Sequence, residues 1–189
     1  MNPLPPDHQA LLATWQQHTH AEFQLKDPDA ALATMTENPY VICVPSGTGG
    51  VGRVAVRKFY AEQFLPSIPP DFELQSLSQI FSNDAIVEEF VVRFTHSLRM
   101  DWMLPGIRPT GRKAEFVIVV IIRFHAGKVA REHVYWDQAT VLSQLGVLDK
   151  RIGTAGAGSA AQLLRLSVLP VIPARDRASL SAQPMTLKT

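Results

Sequence analysis

The chain has 189 residues, 46% of them hydrophobic, with 14 prolines and a formal net charge of +1. Those figures favour one globular domain with a sizeable core and a tail. Basic residues are scattered, without a run that would make a nucleic-acid or lipid-headgroup footprint, so neither partner is expected.

Helices come first in the chain. Asp7 is placed to cap a helix to about residue 25, with Leu11, Leu12, Trp15, Thr19, Glu22 and Phe23 on one side. In KDPDAALATM, Asp27 is a good N-cap and Pro28 suits the first helical position, which predicts a short second helix. A strand at 40–44 and a helix carrying Val56, Phe59, Tyr60, Gln63 and Phe64 follow, closed by the prolines of LPSIPPD. The pattern then changes to period two. Residues 72–81 and 85–98 read as a hairpin through SND. Residues 114–125, apolar on both faces, turn at Ala126–Gly127 into 128–136. Such a strand needs cover on both faces, by the helices on one side and by a partner subunit on the other. Asp137 is a possible N-cap for a closing helix and Gly146 its stop. Residues 1–149 thus read as one domain and 150–189 as an extension, with a short helix near Ala160–Leu166 and disorder over 174–189. A sharper reading of 161–173 is a segment docking across a partner subunit.

Three classes of chemistry are disfavoured by the residues. Gly47, Gly49 and Gly52 spell GxGxxG between a strand and a helix, but no parallel βαβ pattern follows, and the acid about twenty residues on, Asp71, comes after two prolines. A glycine-rich turn entering a helix is the expectation. Arg53 and Val54 stand where a phosphate loop needs Lys and Ser or Thr. There is no GxSxG elbow, and Cys43, the only cysteine, sits in a short apolar strand. The apolar run at 116–122 is too short to span a bilayer, and MNPLPPDHQ lacks a leader's basic-then-apolar order, so a cytoplasmic location is expected.

Helices followed by an antiparallel meander make an α+β arrangement. The strings AEFQLKDPDAALATM, NPYV, VRKFYAEQF, FTHSLRMDWMLPGIRPTGR and GKVAREHVYWDQATVLSQLG, in that order, resemble the SnoaL-like (ester cyclase, polyketide cyclase-like) branch of the nuclear transport factor 2-like superfamily. The resemblance covers about residues 8–148. It implies a cone-shaped, cystatin-like α+β barrel, with N-terminal helices on a strongly curved sheet around an apolar cavity. It also implies a homodimer and acid/base chemistry with no metal or organic cofactor, though some members catalyse nothing.

Asp137, at the end of the last strand in YWDQA, is the first candidate acid or base, since the SnoaL-like pattern has an aspartate there; its competing role is helix cap. His96 is in phase with Phe90, Val92 and Phe94 on the buried face. His133 shares a face with Asp137 in a regular strand but lies roughly 13 Å from it, and Glu132 points the opposite way, so only one of the neighbouring pair can face the cavity. Trp102 and Met103 in the long loop either cover an apolar ligand or plug the cone. Tyr135, Trp136 and Trp15 complete the substrate-contact candidates. His18 and Glu22, four apart on a helix, suggest a metal site together with His20, but there is no HExxH string and no convincing third ligand, so a solvated or helix-edge cluster is the expectation.

Two functions follow. One is a cofactor-independent enzyme using Asp137 with His96 or His133 on a small apolar carbonyl or polyketide-like substrate, by cyclisation, isomerisation, dehydration or lactone or epoxide opening. The other is a non-catalytic small-molecule-binding or assembly module. An enzyme needs a cavity with a carboxylate and a histidine pointing in. An Asp137 that only caps a helix, with His96 packed away from any void, removes the enzyme reading.

Overall fold

The computed structural model describes residues 4–149, 151–154 and 156–166. Helix α1 (Pro6–His20) begins at a proline, with Asp7 in its first turn rather than at the cap. It continues into a wider π-helical turn, Ala21–Leu25. In α2 (Pro28–Ala33), Asp27 caps as expected, its carboxylate accepting from the amides of Asp29 and Ala30 at 2.8 and 3.1 Å. Strand β1 (Met35–Cys43) begins earlier than the sequence suggested. The glycine segment is not merely a turn. Thr48–Val51 forms an edge strand, β2, antiparallel to β1. A side chain at Gly49 (φ 137°) would lie 2.0 Å from the Val41 carbonyl oxygen, and one at Gly50 2.6 Å from the Ala55 carbonyl carbon. These glycines therefore let backbone meet backbone rather than a phosphate. Helix α3 (Arg53–Phe59) likewise runs into a π-helical turn, Tyr60–Phe64.

Strands β3 (Glu73–Phe81), β4 (Ala85–Thr95), β5 (Lys113–His125) and β6 (Lys128–Trp136) form the expected meander. The β5–β6 turn carries positive φ at both Ala126 and Gly127. The sheet order is β2-β1-β6-β5-β4-β3, with β1 and β6 parallel, so β2 and β3 are open edges and the sheet is curved rather than a closed barrel. Register shifts in β1, β3 and β6 supply local bends. On β5, alternate residues from Ala114 to Phe124 are buried, whereas Val117, Val119 and Ile121 on the other face are only partly covered. Helix α4 (Gln138–Gln144) closes the domain, and α5 (Gly158–Leu166) packs against β5. The expectations for residues beyond 166 lie outside the described residues. No described helix is long and apolar enough to cross a membrane.

Candidate functional site

The α1 stripe that meets the sheet is Leu11, Trp15, His18 and Glu22, a four-three-four spacing that keeps all four on one helical face. His18 is 0% and Glu22 4% exposed, which overturns the solvated-edge expectation for this pair. Opposite them, the inward residues of β6 include Val129, Glu132 and Trp136, with Glu132 3% exposed. Of the neighbouring pair, it is therefore Glu132 that faces the interior. His133 lies on the other face, hydrogen-bonded through Nε2 to the Tyr40 hydroxyl at 2.8 Å.

His18 Nε2 lies 3.0 Å from Glu132 Oε1 and 3.3 Å from Glu22 Oε1. Its Nδ1 is 2.6 Å from Thr34 Oγ1, whose own hydroxyl donates to the Ala31 carbonyl at 2.7 Å. Thr34 Oγ1 must then accept from Nδ1–H, and Nε2 is left to face the two carboxylates. The Tyr60 hydroxyl donates to Glu132 Oε1 at 3.3 Å. Trp15 stacks on the imidazole with ring centres 5.6 Å apart and planes 16° apart. Trp15's indole N–H is taken by Glu88, a third buried carboxylate that also accepts from Ser76.

Burial opposes charge on His18, but the Glu132 and Glu22 carboxylates outweigh it and raise its pKa to about 10. The ring is a cation at neutral pH, and it donates from Nε2 to the carboxylates. Burial pushes the Glu22 carboxyl up, with His18 pulling the other way. Burial also raises the Tyr60 phenol, aided by both carboxylates. Of the two carboxyls beside the imidazolium, Glu22 is the one in which burial favours the protonated form. The facing atoms of His18, Glu22 and Glu132 lie within 4.8 Å of one another, close enough to share a proton or to surround one cation.

Glu22, Tyr60 and Glu132 form the polar wall of an internal cavity of about 70 Å³, otherwise lined by such residues as Phe59, Phe64, Phe90, Trp102, Ile118 and Val120. A wider cleft of about 720 Å³ lies between α1 and the β3–β4 hairpin. The two share Trp15, Thr19, Phe23, Phe72, Leu74 and Phe90 as a common wall.

The other sequence candidates are not brought together. Asp137 caps α4, accepting from the amides of Ala139 and Thr140 at 3.0 and 3.2 Å and from the Thr140 hydroxyl at 2.6 Å. His96 is buried just beyond β4, its Nδ1 accepting from the Thr110 amide at 3.3 Å, and it does not line the cavity. Burial lowers its pKa. Tyr135 is on the outer face at 38% exposure. Trp136 and Met103 are buried but are not among the cavity's lining residues, whereas Trp15 and Trp102 are. An enzyme reading built on Asp137 and His96 thus loses its geometry; the carboxylates that line the cavity are Glu22 and Glu132, and His18 is bonded to both without being among the lining residues.

A search of curated proteins gives no match. Among solved structures, the chain is similar to a candidate SnoaL-like polyketide cyclase from Jannaschia sp. CCS1, at 16% identity and TM-score 0.62, over 79% of this chain and 100% of that one. IdmH, a candidate polyketide cyclase from Streptomyces antibioticus, is 22% identical with TM-score 0.53, over 72% and 99% of the two chains. A protein of ketosteroid isomerase-like fold from Catenulispora acidiphila, solved with trimethylamine, is 13% identical with TM-score 0.55, over 71% and 93%. The model of the SnoaL-like polyketide cyclase family matches residues 13–145. With that match spanning most of its length, the chain belongs to the SnoaL-like polyketide cyclase family.

Proposed function

We propose that the protein is an acid/base catalyst that moves a proton at a carbon next to a carbonyl, in a cyclisation or isomerisation of a small apolar substrate. The observation that carries this reading is the polar wall of an otherwise apolar cavity: two buried glutamates bridged by a histidine. In this reading Glu132, bonded by His18 and Tyr60, is the fixed partner of the imidazolium. Glu22, with its raised pKa, takes the proton from carbon and returns it elsewhere on the substrate. Apolar walls exclude water from the carbanion. Such proton shuttling consumes no redox equivalent, so the reading calls for no organic cofactor. The family match and the cyclase-like relatives support it. The partly covered outer sheet face supports a homodimer.

The test is exchange of the α-protons of 1-indanone in D₂O, followed by NMR. Wild type is expected to accelerate exchange over buffer, and Glu22→Gln to lower that acceleration at least about a hundredfold. No acceleration by wild type, with 1-indanone still bound, would move the protein to a second reading, a non-catalytic binding module. One feature favours that alternative: His18 already satisfies both carboxylates.

A further inference from the structure

An enolate needs a hydrogen-bond donor for its oxygen as much as a base for its proton. The polar cluster has none to spare. Its His18 N–H groups face Thr34 and the glutamates, and the Tyr60 hydroxyl is given to Glu132. Elsewhere on the cavity wall, the Trp15 indole donates to Glu88 and the Thr19 hydroxyl to helix carbonyls. Trp102 is different. Its side chain lines the cavity, the residue is 3% exposed, and its indole Nε1 has no acceptor among the described residues.

A buried N–H left unpaired is costly and calls for an explanation. The indole is also held firmly in place. It packs edge-on against Phe64 and Trp136, with ring centres 4.9 and 6.1 Å away. Its own carbonyl accepts from Ser46 and Thr48 at 2.7 and 2.6 Å, and the next carbonyl, of Met103, accepts from Gln138 at 3.0 Å. A fixed, unpaired donor on the wall of the same cavity as Glu22 has the properties of an oxyanion donor.

Resting on the reading of the cavity as a substrate site, we propose that the Trp102 indole N–H binds the substrate's carbonyl oxygen and stabilises it as negative charge develops there. The substrate class follows from the same wall. It is an uncharged ring ketone, enone or quinone, because two carboxyl groups and no lysine or arginine face the cavity, so an anionic group would be repelled.

The experiment compares 1-indanone with 1-methyleneindane, in which CH₂ replaces the carbonyl oxygen, by NMR titration of wild type and Trp102→Phe. Wild type is expected to bind the ketone about tenfold more tightly. In Trp102→Phe the ratio should fall to near one while hydrocarbon affinity changes by less than about twofold. Should that variant not fold, the ¹⁵N-labelled indole signals of the three tryptophans in the wild-type chain carry the test, with Trp15→Phe and Trp136→Phe completing the assignment. The Trp102 N–H proton should move downfield with 1-indanone and not with the hydrocarbon. A ketone preference that survives Trp102→Phe, an indole signal indifferent to the carbonyl, or failure of both probes to bind overturns the proposal; in the first two cases the N–H serves an ordered water. Failure of the acid/base reading is read separately, as absent proton exchange, and leaves the binding ratio intact.

Discussion

Replacing His18 by leucine removes the cation that holds two buried carboxylates together. Both partners are fully enclosed, so the loss is not screened by solvent. Breaking a buried pair from one side typically costs about 3–5 kcal/mol. For a chain of this size, the melting temperature should fall by roughly 6–20 °C. The pH dependence is the sharper readout. In wild type, the raised His18 pKa contributes stability in full below 6.5 and loses it as pH rises through about 10. Glu22, also raised, adds a decline in the same direction above its ordinary value. In His18→Leu the alkaline component disappears, while the decline from Glu22 remains. The gap between variant and wild type in urea unfolding should therefore be widest at pH 6 and below and should narrow towards pH 9. A loss below about 1 kcal/mol at pH 6, or a gap that does not narrow between pH 6 and pH 9, would refute the charged-cluster account. The double variant His18→Leu/Glu132→Leu should recover part of the loss.

Four other outcomes are expected. Asp137→Ala removes the α4 cap and should cost about 1 kcal/mol in urea unfolding while leaving 1-indanone exchange within about twofold. Gly49→Ala sets a methyl against the Val41 carbonyl at a φ side chains rarely adopt, and should cost at least about 2 kcal/mol; Gly47→Ala, with open space around it, should cost about half that or less. Burial pushes the Cys43 thiol up to about 12, so a disulfide reagent at pH 8 should leave native protein unlabelled and modify it only in urea. If the outer sheet face forms a homodimer, sedimentation should show two subunits for wild type and one for Ile42→Asp/Tyr135→Glu, both at positions more than a third exposed.

Local signals made much of this fold legible. Asp27 before Pro28 marked a helix start, Ala126–Gly127 a hairpin, and period-two runs the meander; each depends on neighbours in sequence and each is found in place. The glycine segment was only half legible, because a strand made of TGGV has almost no side chains to show a period, and its glycines answer to Val41 and Ala55 across space. The site was harder still. His18 and Glu22 do share the stripe of Leu11 and Trp15, a cue that a polar pair lies in phase with core positions. Their partner Glu132 is more than a hundred residues away, and only sheet order and strand phase bring it opposite α1. Asp137 drew attention because its sequence context matched the family, while the same context, immediately ahead of a helical turn, suits a cap.

The π-helical turns explain why the cluster sits where it does. Glu22 lies on the turn that ends α1, and Tyr60 opens the turn that extends α3. A π turn takes an extra residue and rotates the side chains after it around the helix axis, and it is an arrangement found often at functional sites because it is rarely the cheapest local choice. Here both distortions fall where a helix reaches the cavity, and both deliver a polar side chain to its wall. Glu132 arrives by a different distortion: Ala130 is the extra residue in β6 opposite β5, and from that bulge onward the strand presents Glu132 inward and His133 outward. Three departures from regular geometry around the cavity thus fall at or near Glu22, Tyr60 and Glu132, which make its wall polar. A core selected for stability alone would replace those carboxylates with leucines and keep its helices regular. Their retention in one apolar pocket is the strongest physical reason to seek proton chemistry there rather than at the end of β6.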